Sequence, residues 1–204
     1  AGVNLLTGAA ETDNGKLQGV ADGMVKYAMQ LAQQINQSVG VVNTSLRDLS
    51  GTLGLSTKPL DDFKHKINLV SESGKALSDE QIAGEIAAIS DEMVKSLLPT
   101  VDQFAKSGET SIQTISRLGA EFNALVSGAE LLLGKSSADA KELVSGSTYQ
   151  GRTAFVDAAG GLDALNQKVA FFADNFLTDA QRLAPVQEKL NAELSRLGLS
   201  SNLT

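Results

Sequence analysis

Apolar residues fall at alternating steps of three and four along most of this chain, the spacing that lines them up on one face of a helix with 3.6 residues per turn. The densest example covers residues 160–198. Leu162, Leu165, Val169, Phe172 and Phe176 form one stripe, and Leu183, Val186, Leu190, Leu194 and Leu197 form a second. Between them Thr178 stands three residues before Gln181, the spacing of a capping box. Gly160 and Gly161 precede the pair. Gly198 follows it, placed to take the left-handed conformation that caps a helix, with Leu199 folding back on the last turn. The pattern predicts an antiparallel helical hairpin over residues 161–198, with its two stripes packed on each other.

A second long stripe opens the chain: Leu17, Val20, Met24, Tyr27, Leu31, Ile35, Val39, Val42, Leu46, Leu49 and Leu53. It predicts a long amphipathic helix of coiled-coil character, with a stutter where steps of four recur at Leu31, Ile35 and Val39. Gly15, Gly19 and Gly23 share a face, which either lets another helix approach closely or locally weakens this one. Gly40 is expected to bend or break the rod, and Gly51 and Gly54 to end it. No other stripe in the chain has equal length. Leu17, Met24, Leu31 and Ile35 are therefore candidates for a self-association or partner surface.

The middle of the chain changes character. Residue 58 is pushed away from helical geometry by Pro59, and the run from Lys64 to Val70 alternates weakly, like a half-buried strand that needs a partner. Helical pattern resumes at a capping box, Ser78 with Gln81, with Asp79 and Glu80 in the first turn where the helix dipole favours acids. Ile82, Ile86, Ile89, Met93, Leu97, Val101 and Phe104 follow on one face, with a kink or restart expected near Leu98 because of Pro99. After Ser107, Gly108 and Glu109 comes another stripe, Ile112, Ile115, Leu118, Phe122, Leu125, Ala129 and Leu132, ended by Gly134. A shorter helix is expected around residues 138–144, then a loop bracketed by Gly146 and Gly151, then a short turn over residues 154–158. The fold class is accordingly all-α: an elongated helical bundle with at most one short β element. Its expected organisation is a long helix in residues 1–55, a linker in 56–77 and a helical domain in 78–204.

Charge and composition narrow the function. A net charge of -7, with the basic residues scattered singly among acids, argues against a phosphate-neutralising nucleic-acid surface. The chain has no cysteine, which excludes disulfides and thiolate metal sites. Aromatic residues make up 4%, which fits helices packed through small side chains better than an aromatic-walled pocket. The most membrane-like stretch, residues 20–42, is interrupted by Asp22, Lys26 and several glutamines. The chain starts at Ala1 without a signal-like segment and ends just after a helix cap, so it reads as a piece of a longer protein. Asn43-Thr44-Ser45 and Asn202-Leu203-Thr204 match glycosylation sequons, but such triplets are common by chance.

Chemical motifs are sparse. Residues 129–136 resemble the end of a phosphate-binding loop, but Ala129 stands where its first glycine belongs and Leu131 to Leu133 continue a helix. Asp61-Asp62, Asp79-Glu80 and Asp91-Glu92 are neighbours in sequence, and neighbours on a helix point about 100° apart, so capping and solubility explain them. His65 is the single histidine, too little for a triad or a zinc site. No catalytic residue, cofactor or metal is expected. Phe171 projects off the stripe of Phe172 and Phe176, which makes it a further candidate for contact with another copy or a partner.

Several short motifs resemble those of a known family. GGLDAL, FFADNFL, TDAQR and the leucine-spaced helix ending in LGLS resemble the C-terminal region of tail tape-measure proteins of long-tailed bacteriophages. So do LGLSTKPLDDF from Leu53, ALSDEQ from Ala76 and GETSIQTISRLGAEFNAL from Gly108, which extends the likeness over the last three quarters of the chain. The resemblance implies a structural, non-enzymatic virion component, present in several copies in the tail lumen, that sets tail length and leaves ahead of the DNA. It implies as partners the tail-tip or baseplate hub proteins, the tail tube protein and the tail assembly chaperones, with membrane contact during ejection and no sequence-specific nucleic acid. Even wholly helical, 204 residues would span only about 300 Å at ~1.5 Å per residue. That length suits the folded end of a ruler, seated in the tail tip, better than the ruler itself. The other reading of the residues is a bacterial helical-bundle interaction module of the flagellin, translocator or adhesin kind.

Overall fold

The computed structural model describes residues 10–64, 66 and 77–197, with side chains from residue 25 onward. The fold is all-α: eight α-helices and a single 3-10 turn, with no strand among the described residues. The first helix, α1, runs from Ala10–Leu53 and passes through Gly40 and Gly51 without interruption. Gly54 ends it, at φ 70, in the left-handed region that glycine enters at least cost. The expected break at Gly40 does not occur, because an internal glycine weakens a helix by only about 1 kcal/mol and the flanking stripe is packed. Of the predicted strand, Lys64 and Lys66 lie in irregular backbone. His65 and residues 67–70 lie outside the described residues.

After α1 come α2 (Lys58–Asp61), which starts with a proline in its first turn, and α3 (Asp79–Leu97). The predicted capping box is present: Ser78 N–H donates to Gln81 Oε1 at 2.9 Å, and Ser78 Oγ accepts from Gln81 N–H. Leu98 caps α3, and the restart past Pro99 is a 3-10 turn, Val101–Phe104. Then follow α4 (Ser111–Leu133), α5 (Ser137–Ser145), α6 (Tyr149–Ala158), α7 (Leu162–Phe176) and α8 (Asp179–Arg196). Gly134 closes α4 in the left-handed conformation at φ 59, as its position predicted. Where a loop and a short turn were expected, α6 is a full helix. Thr148 caps it by accepting from Gly151 N–H, so Gly151 lies in its first turn.

The bundle is organised around α4, which touches α1, α3, α5, α6, α7 and α8. One apolar core runs from Leu31 of α1 to Val144 of α5, with Met93, Val94, Val101, Ile115 and Leu118 at its centre. The C-terminal half of α1 therefore lies against α3 and α4 rather than standing apart as a rod. Closest approach comes at Gly119, where a methyl group would lie 2.6 Å from Leu49 Cδ2. Two buried hydroxyls are satisfied within their own helices: Ser50 Oγ donates to the Leu46 carbonyl and Ser90 Oγ to that of Ile86.

Candidate interaction surface

The two kinds of surface on which chemistry or binding could be built are polar clusters and exposed apolar faces. The largest polar cluster sits where the loop before α4 meets α6. Arg117 Nε donates to Glu109 Oε1 and Arg117 Nη1 to Glu121 Oε1, both at 2.8 Å, while Nη2 donates to the Phe104 carbonyl. Thr153 of α6 donates to Glu121 Oε2 at 2.7 Å. The Glu109 carboxyl is held down at about 2, first by the hydrogen bond from Arg117 and against the opposing effect of burial, with help from the Lys106 N–H. Both carboxylates are engaged by donors from the protein itself. The cluster therefore clamps the loop and α6 to α4.

Arg152, almost fully buried, has a similar structural task. Its Nη1 donates to the carbonyls of Val144 and Ser147, which caps the C-terminal end of α5, where a helix favours a cation. Its guanidinium lies 4.6 Å from the Tyr149 ring centre and 5.3 Å from that of Phe122. Burial pushes its pKa down from the ordinary arginine value. Among the described residues no three His, Asp or Glu side chains are placed to hold a metal ion. An apolar groove of about 460 Å³ lies between α4, α5, α6 and α7, walled by Leu125, Ala129, Val144, Phe155, Leu165 and Val169. It has almost no polar lining to orient a reacting group.

The exposed apolar faces lie on α7 and α8. Two glycines at positive φ, Gly160 and Gly161, turn the chain into α7, and Val169 packs toward Gly128 of α4. Leu165 and Ala173 are buried there. The same stripe then runs on to Phe172 and Phe176, which stack on each other at 5.1 Å between ring centres and remain 41% and 66% exposed. Phe171, on the second face, is 64% exposed. On α8 no residue is buried, and Leu183, Val186, Leu190 and Leu197 face solvent. The capping box at Thr178 and Gln181 forms as predicted, yet α7 and α8 do not pack along each other. Each lies instead against α4. The hairpin expected from the pattern is open.

The predicted surface residues therefore divide. Leu31 and Ile35 are 3% and 0% exposed, because α3 and α4 supply the covering that the sequence did not show for α1. They belong to the core and are not an association surface. Leu17 and Met24 lie outside the described side chains. Phe171 is available, as expected. Missed were Phe172 and Phe176, assigned to the core, and the stripe of α8. Their heptad spacing was visible, but spacing identifies a face and cannot say whether anything covers it. Val25 and Met29 on α1 are also exposed.

Fold and surface together define an all-α protein whose conspicuous sites are apolar helix faces. No known family matches the chain, and no curated protein or solved structure is similar to it.

Proposed function

We propose that this chain is a structural assembly module, the folded terminal segment of a tail tape-measure protein that anchors the length ruler in the tail tip and is released when DNA is delivered. The observation that carries the reading is the open pair α7 and α8, with Phe171, Phe172, Phe176, Leu183, Val186 and Leu190 exposed. An aromatic side chain carries roughly 150–250 Å², so the three exposed phenylalanines alone reach several hundred Å², the size at which apolar patches mark contact sites. The resemblance of the chain's short motifs to the tape-measure family is what supports this kind of assembly over another. A compact bundle centred on α4 suits an anchor, because its length does not scale with residue number as a ruler's does. Electron density of an intact tail tip tests the reading. It should show the α4 bundle within the tip, with α7 and α8 against a hub or tube protein. A tip that lacks this segment, or that holds it with both faces in solvent, would overturn the proposal.

A further inference from the structure

The helix α8 leaves most of its leucine stripe in water. Successive residues turn by 100°, so Leu183, Val186, Leu190, Leu194 and Leu197 share one side. Gln181, Ala184, Pro185 and Glu188, which border the space facing the end of α4, lie on the opposite side; Pro185 there and Leu194 on the stripe are half-buried. Among the described residues the one ion pair that ties this helix to α4 is Lys189 Nζ with Glu130 Oε2 at 2.8 Å, while Arg182 pairs with Asp174 at the end of α7 and with Asp179 inside α8. Burial pushes the Glu130 carboxyl up, but the hydrogen bond from Lys189 leaves it below its ordinary value. This seat is incompletely satisfied. Glu130 Oε1, Ser137 Oγ and Asn191 Oδ1 are buried without a hydrogen-bond partner, an arrangement that native interiors mostly avoid.

Beside this polar seat stands an unused apolar one. Phe172 and Phe176 continue the buried stripe of α7 into solvent, and only Leu177 and Thr178 separate that helix from α8. We propose that α8 is a strap with two seats: the latched one described, and a second in which its leucine stripe turns onto Phe172 and Phe176 and closes the hairpin. In the second seat the leucines and phenylalanines leave water together. The unpaired oxygens at Glu130, Ser137 and Asn191 gain water in exchange. The Glu130–Lys189 pair is the latch, and removing Lys189 releases it, because a carboxylate left buried and unpaired favours the strap's departure.

The chain has no cysteine, so spin labels can be placed at will. Asp163 and Glu193 are both exposed, and an antiparallel hairpin brings these positions side by side on helices about 8–10 Å apart. With Asp163→Cys and Glu193→Cys labelled, pulsed dipolar spectroscopy should show a short-distance population that rises severalfold on adding Lys189→Met. Lys189→Arg should restore the parent distribution, and Phe176→Asp should remove the short component while helical content is unchanged. A single distance distribution, the same in the parent, in Lys189→Met and in high salt, would overturn the proposal. So would a Lys189→Met distribution that only broadens to longer distances, since the strap would then detach without a second seat.

Discussion

Glu109→Gln tests the clamp that holds the loop before α4. In the folded chain this carboxyl sits at about 2 against an ordinary value of 4.5, chiefly because Arg117 donates to it. At ~1.4 kcal/mol per pH unit the difference corresponds to roughly 3 kcal/mol. The side chain keeps 20% of its surface in water, and solvent screening trims the contribution to about 2 kcal/mol. The folded pKa is depressed, so this stability is fully present above the unfolded value, near 4.5, and is lost as pH falls through about 2. Urea titrations of parent and variant across that window should therefore show a gap of about 2 kcal/mol at pH 7 that closes toward pH 2. Taking the difference cancels the titration of the other carboxylates. A gap that stays constant over the whole range, or no gap at neutral pH, would refute the linkage.

Two further outcomes follow from packing. A methyl group added at Gly40 or Gly84, both inside helices, meets nothing within 4 Å, so Gly40→Ala and Gly84→Ala should each stabilise the chain by about 0.5–1 kcal/mol; melting temperatures at or below the parent's would show that those helices are strained elsewhere. Phe172→Asp should leave the melting temperature within a few degrees of the parent, because the ring is 41% exposed, whereas Leu118→Ala, at 1% exposure, should remove about 2–5 kcal/mol. Equal losses in thermal melts of the two variants would place Phe172 in the core after all.

The helices themselves were legible because their signals are local. Ser78 with Gln81 and Thr178 with Gln181 fix helix starts by hydrogen bonds within four residues, and Gly134 fixes an end by its own φ. Thr110 with Gln113 carries the same signal and starts α4, and Thr148 caps α6 with its hydroxyl alone, yet neither was singled out in the pattern. What was not legible is which stripe meets which. The burial of Leu31 and Ile35 depends on α3 and α4, which lie more than forty residues further along. The open hairpin could not be read either, since α8 meets α4 through long-range contacts such as Lys189 with Glu130, fifty-nine residues away. Periodicity records the face a helix prefers to hide, and here α8 leaves most of that face in water.

The central claim is that this chain anchors an assembly and does not measure its length, and deletion of residues 161–198 from the full-length parent tests it most directly. The deletion removes α7 and α8 with their apolar faces and uncovers the side of α4 on which they lie. Electron micrographs of the mutant lysate should show no initiated tails. Intact tails shortened by about 57 Å, from 38 residues at ~1.5 Å each, would make the segment part of the ruler and contradict the account.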